Sequence, residues 1–198
     1  MHSRHPLITA IVALVLIATV NAQSEKPNIL WLTSEDNNAT YLGCYGNPHA
    51  VTPNIDQLAN EGFRYTHCYS NGAVCSASRS TWISGMISVS IGSHNHRSRV
   101  AVPKKLIFYP KALQAAGYHT GNFKKTDYNM TYHSKLWDST KAPNWNELKS
   151  KQPFFQIINF TQSHESRAMG TAHQHDPAKT IIPPYHPDIQ GVRDNYAH

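Results

Sequence analysis

Apolar positions in this chain come in short blocks separated by polar clusters, and the type of block alternates along the chain. Pro27 to Ser34, PNILWLTS, is a continuous apolar run that breaks abruptly into the acidic, amide-rich EDNN. A buried parallel strand that delivers its C-terminal end to a loop has this form. Thr52 to Gly62 opens with an N-capping threonine and a proline at the first helical position, carries Ile55, Leu58 and Ala59 on one face, and closes on a glycine. That pattern predicts a helix. Phe63 to Ser70, FRYTHCYS, alternates as a strand does. Ser78 to Gly85 reads as a short helix starting just after Cys75, and Tyr109 to Gly117 as another with a glycine stop. Strands are predicted at Tyr118 to Phe123 and Pro153 to Phe160, the latter ending at TQSHE. Tyr128 to Gln152 is polar, with two tryptophans and no clear period, and reads as a long loop. A helix begins at Ile189. Strands alternating with helices predict an α/β fold: a mostly parallel central sheet flanked by helices, with functional groups at the strand C-termini.

The first residues change that picture. Arg4 and two histidines precede the apolar run Leu7 to Val20, which ends in small residues at Asn21 and Ala22. A basic start, a short apolar core and a small-residue end predict a signal peptide over residues 1–22, with the mature chain starting near Gln23. The apolar run is short for a membrane span, so no stable membrane anchor is expected. The chain is then exported, to a periplasmic or extracellular space, or to a lysosomal-type compartment in a eukaryote. Of 198 residues, 40% are hydrophobic and 15% charged, which excludes a disordered chain. Formal charge is +6, or +5 once Arg4 is removed, with 17 basic residues against 12 acidic. A basic exported protein meets polyanions, among them sulfated glycans. No basic stripe with interleaved aromatics is present, so nucleic acid is not an expected partner. Three cysteines, Cys44, Cys68 and Cys75, are an odd number for an oxidising compartment. At least one is therefore free, paired between chains or modified; a Cys44–Cys68 bridge stays open.

Four polar clusters follow strand-like segments: Glu35-Asp36, Cys75 to Arg79, Lys124 to Asp127, and His164. Adjacent carboxylates suit a hard cation such as Ca2+ or Mg2+, and equally a solvated acidic turn. Cys75 at a helix start would feel the helix dipole and Arg79, both favouring an anion, or it is a packed, inert thiol. Lys125 and His164 could clamp an anion and protonate a leaving group, or stand on the surface.

In combination these clusters resemble a known family. Cys75-Ser-Ala-Ser-Arg79 fits C-x-[P/A]-x-R, the signature of the sulfatases, whose fold is similar to that of alkaline phosphatase. KPNILWLTSED resembles the family's opening strand with its paired metal acids, AAGYHTGNFKKTDYN the block with an active-site lysine at Lys125, and PFFQIINFTQSHE the strand ending in a substrate-facing histidine at His164. IIPPYHPD resembles the branch similar to heparan N-sulfatase.

The resemblance implies that a separate maturation enzyme oxidises Cys75 to Cα-formylglycine, the small neighbours letting that enzyme grip the segment. It implies that Glu35, Asp36 and the group at Cys75 hold Ca2+, or Mg2+, and that one hydroxyl of the hydrated aldehyde attacks a sulfate ester. Arg79 and Lys125 would neutralise the transferring group, and His164 would contact the bridging oxygen. The implied substrate is a sulfated carbohydrate or related ester. An N-sulfoglucosamine-type sulfamidase, or an inactive truncated piece that at most binds sulfated glycan, are the alternatives. Three departures stand out. Glu35 replaces the usual aspartate, and Asp127 stands where histidine is common. The chain has less than half the usual family length, so residues 26–198 read as the N-terminal part of a catalytic domain.

Overall fold

The computed structural model describes residues 26–132, 135–167, 169 and 175–198. The expected signal peptide lies outside them. Among the described residues no helix is long and apolar enough to cross a membrane.

The centre is a parallel sheet of three strands, β1 (Ile29–Ser34), β3 (His119–Phe123) and β5 (Phe154–Phe160), in the order β1-β5-β3. Two residues each of β2 (Val100–Ala101) and β4 (Met130–Thr131) pair in parallel beside it. The helices are α1 (Pro53–Glu61), α2 (Cys75–Ser84), α3 (Tyr109–Ala115), α4 (Trp145–Lys149) and α5 (Gln190–Ala197). Because the sheet is parallel, Ser34, Phe123 and Phe160 all end at one rim, and the segments that follow them converge there. This is the predicted α/β arrangement.

The core is aromatic. Ile83 of α2, Met130 of β4, and Phe108, Tyr128, Leu136 and Trp137 of the connections bury themselves with Phe155 and Ile157 of β5. Trp31 of β1 lies edge-on to Phe155 and 5.4 Å from the Trp82 ring, while Trp137 stacks on Phe155 at 6.3 Å. Within β3, Gly121 admits Gln156 of the adjacent strand: a Cβ there would come 2.0 Å from Gln156 Oε1. At Gly117 the chain leaves α3 with φ +89°, the left-handed stop the sequence predicted.

Four expectations are corrected. Phe63 to Ser70 forms no strand; all eight residues are exposed, so the alternation has no second layer to pack against. The expected loop from Tyr128 to Gln152 contains β4 and α4, and Asn144 caps α4 by accepting from the N–H groups of Asn146 and Glu147. β1 is covered on one face only: Leu30 and Leu32 are each 48% exposed although their run is as apolar as β5. The helix expected to begin just after Cys75 begins at Cys75 itself.

Candidate active site

The rim where the strands end carries a buried polar network with Glu35 at its centre. Glu35 follows β1 and is 3% exposed. One of its oxygens accepts from Arg79 Nη2, and the other lies 2.5 Å from Lys125 Nζ. Arg79, one turn into α2, is equally buried and spends its second arm on Asn159 Oδ1 (2.9 Å) and the Lys125 carbonyl (3.3 Å). Its guanidinium also lies 5.1 Å from the Trp82 ring centre. Asn159, fully buried on β5, ties the three strands together. It accepts from Thr33 Oγ1 (2.9 Å) and donates to Asn122 Oδ1 (3.1 Å) and the Phe123 carbonyl (2.8 Å). A network in which every member is satisfied rigidifies the rim, and one lost member leaves costly orphans. Asn159→Ala should lower unfolding free energy by about 2–4 kcal/mol, since it strips partners from one charged and three neutral groups. Urea denaturation measures this, and an unchanged midpoint would show that the network relaxes without loss.

Small residues at the start of α2 have a packing reason. Ser76, Ala77 and Ser80 are fully buried. Ser76 Oγ sits 2.9 Å from His96 Nδ1 and accepts from the Arg97 N–H (3.2 Å), and Ser80 bonds Ser93 (2.7 Å). A Cβ on Gly72 would come 2.8 Å from that of Ala77. Cys75 itself remains half-exposed at the first turn, and its Sγ donates to Asp127 Oδ2 at 3.3 Å. Burial pushes the thiol above its ordinary range, the bond to Asp127 adds to this, and the nearby Lys125 ammonium pulls the other way. Arg79, by contrast, directs its guanidinium at Glu35 and Asn159. Unmodified Cys75 should therefore react with iodoacetamide more slowly than exposed Cys68 at neutral pH. Peptide mass spectrometry after timed alkylation tests the order, and faster loss of Cys75 would contradict it. Cys44 and Cys68 are both free thiols, with no bridge between them.

Asp36 meets the loop that carries His164. Asp36, with φ 46°, accepts from the Glu165 N–H at 2.9 Å, and Ser163 brackets the Glu35 backbone, its Oγ accepting from Glu35 N–H at 3.1 Å and donating to Glu35 O at 2.5 Å. His164 Nδ1 accepts from the Ser166 N–H (3.2 Å), which leaves the neutral ring's proton on Nε2. The structure thus brings Glu35, Arg79 and Lys125 together, joins Cys75 to Asp127, and joins Asp36 to the loop carrying His164. Asn159, Asn122 and Ser163 were not anticipated as parts of this site. Their only signal was a polar residue inside or just after an apolar strand.

Among the described residues no three or more His, Cys, Asp or Glu side chains form a group that could hold a metal ion. Glu35 and Asp36 offer two carboxylates, and both oxygens of Glu35 already face cations. Ca2+ takes six to eight oxygens, so this donor set does not by itself fit the ion.

The sulfatase family model matches residues 27–188. An ulvan-active sulfatase of Formosa agariphila is 36% identical over 155 residues, which is 72% of this chain and 26% of that protein. Human arylsulfatase A is 30% identical over 156 residues, 77% of this chain and 29% of that protein. An N-acetylglucosamine-6-O-sulfatase of Bacteroides thetaiotaomicron is 34% identical over 122 residues, 60% of this chain and 22% of that protein. The chain thus spans about a quarter of the length of these curated relatives. Among solved structures, a 2-O GAG sulfatase superposes with a TM-score of 0.61 at 19% identity, over 83% of this chain and 42% of its own. A protein solved with its substrate D-glucosamine-2-N,6-O-disulfate gives 0.57 at 21%, over 80% and 39%. Those likenesses fix the alkaline-phosphatase-like α/β fold, and the family match carries the rest: this chain belongs to the sulfatase family.

Proposed function

We propose that the whole protein is an exported sulfuric ester hydrolase that removes sulfate from a sulfated carbohydrate, with the residue at Cys75 as its nucleophile. The observation that supports this most is the position of Cys75. It is half-exposed on the first turn of α2, unpaired with another cysteine, and next to a rim that holds Lys125. The ester reading over the sulfamate one draws on the N-acetylglucosamine-6-O-sulfatase relative.

Sulfatases as a family depend on formylglycine and a divalent metal. Cys75 fits the first: it is half-exposed and has an acceptor, Asp127, for a hydroxyl in place of the thiol. Formylglycine, once hydrated, would supply a nucleophilic hydroxyl and a second hydroxyl whose deprotonation expels sulfate and restores the aldehyde. The chain's own residues do the rest. Lys125 has one N–H donor on Glu35 and others left for a sulfate oxygen, where its charge offsets what builds up in transfer. The Nε2–H of His164 is the donor for the bridging oxygen. Arg79 acts as a positioning residue, since its buried guanidinium fixes Glu35 and the Lys125 backbone. Asp127 takes the hydrogen bond that orients the group at Cys75. Ser76, Ala77 and Arg79 are buried, so the maturation enzyme must reach this segment before α2 docks.

The test is sulfate release from an aryl sulfate by the whole gene product, with mass spectrometry of the Cys75 peptide. Turnover with an aldehyde or its hydrate at Cys75 is expected. Full turnover with an intact thiol would overturn the reading.

A further inference from the structure

We propose that the cleft beside Cys75 is a second anion subsite, in which Arg97 and Arg99 hold a further negative group, sulfate or carboxylate, of the same glycan that presents its sulfate to Cys75. This rests on the hydrolase reading above and extends it to a polyanionic substrate. The cleft encloses about 680 Å³, and its walls include Arg97, Arg99, Asp127, Asn129 and Tyr132. That volume suits a mono- or disaccharide. Asp127 is the shared wall between cleft and nucleophile: Oδ2 accepts from Cys75 Sγ at 3.3 Å, and Oδ1 lies 3.9 Å from Arg97 Nε. A sugar reaching Cys75 from this side therefore passes the guanidinium groups.

Charge and backbone point the same way. Two guanidinium groups face one carboxylate here, which leaves the cleft positive. Among the described residues Arg99 has no carboxylate within ion-pair distance, whereas surface Arg193 and Lys151 are paired with Asp188 and Glu147. Arg97 and Arg99 also have φ of 52° and 50°, a left-handed conformation that residues with a Cβ rarely adopt. Buried groups hold them there. The Arg97 N–H is taken by Ser76, the residue after Cys75, and the Arg99 N–H by Asn129 Oδ1 at 3.3 Å. Asn129, 6% exposed, donates in turn to the carbonyls of Ser93 (2.7 Å) and Asn95 (2.6 Å). The loop backbone is thus pinned to the site at two points while both cationic heads stay exposed. A fixed fork of donors is what bidentate recognition of sulfate or carboxylate needs. Tyr132, 40% exposed at the cleft wall, offers an apolar ring face beside them.

Binding is measured by calorimetry on the whole protein carrying Cys75→Ala, so that turnover does not interfere. The ligands are a glucosamine with one sulfate, the same sugar with two, and a disaccharide with one sulfate and one uronate carboxylate. The last two distinguish a sulfate from a carboxylate as the second anion. The protein should favour at least one doubly charged ligand over the singly charged one by about tenfold, as two exposed ion pairs allow, and less at high salt. Arg97→Gln/Arg99→Gln should bring that ratio toward one. Arg99→Gln alone, which leaves the Arg97–Asp127 contact intact, should lower it about threefold. Equal loss for all three ligands, or an unchanged ratio in a variant with wild-type melting temperature, overturns the subsite. Absence of turnover by the Cys75 protein with this arginine-dependent ratio intact would instead remove the hydrolase reading and leave the subsite standing.

Discussion

Cys75→Ala in the whole, matured protein is expected to reduce sulfate release by at least about 10⁴-fold, because it removes the nucleophile and leaves only binding and electrostatics. The fold should barely register the change. Cys75 is half-exposed, and the substitution deletes one atom, the sulfur, whose side-chain hydrogen-bond partner is Asp127. Asp127 keeps Arg97 near its other oxygen, so its carboxylate is not orphaned. A loss of no more than about 1 kcal/mol is expected in urea. Sulfate release and the unfolding midpoint should be read on one preparation. Near-normal release by the alanine protein would take Cys75 out of the chemistry, and a large drop in midpoint would make it a packing residue instead.

Glu35→Gln should have the largest effect on stability, about 3–5 kcal/mol, the usual consequence of removing one side of a buried ion pair. The amide nearly matches the carboxylate in shape, so the change isolates charge. It leaves Arg79, with 4% of its side chain exposed, and Lys125, with 16%, facing a neutral group. Against a typical total of about 5–15 kcal/mol, that loss would leave a marginal fold. A double-mutant cycle with Arg79→Met separates the pair from the rest of the network. Strong positive coupling is expected. Two independent, additive losses would mean that Glu35 and Arg79 do not depend on each other.

Local signals in the sequence were enough where one segment decides its own shape. The capped, glycine-stopped Thr52–Gly62 and the glycine-stopped Tyr109–Gly117 became α1 and α3, and the three strands predicted at Pro27–Ser34, Tyr118–Phe123 and Pro153–Phe160 became the parallel sheet. Phe63 to Ser70 failed because alternation is only half of a strand; the other half is a neighbour to pair with, which no local pattern reports. Asn144 and Glu147 did carry a readable start for α4, hidden in a polar stretch whose length argued for a loop. The site was legible as a set of clusters but not as a geometry. Glu35 meets Arg79 and Lys125 across 44 and 90 residues, and nothing near Glu35 tells that its partners are cations of this chain. Asn159 read as one polar residue in an apolar strand, and its role appears only when Thr33, Asn122 and Arg79 surround it.

The buried asparagines bear on where this protein can be made. Asn129 and Asn159 each stand two residues before a threonine, Thr131 and Thr161, and so does Asn38 before Thr40. All three are acceptors for N-linked sugar in a host that attaches it to exported chains. Asn38 is exposed, but Asn129 and Asn159 spend their amides inside the fold. A sugar added to either before folding would displace the loop bearing Arg97 and Arg99, or the bonds that join the three strands. In such a host, glycan transfer and folding compete for the same two side chains, and of the three acceptors only Asn38 is one the folded chain can carry.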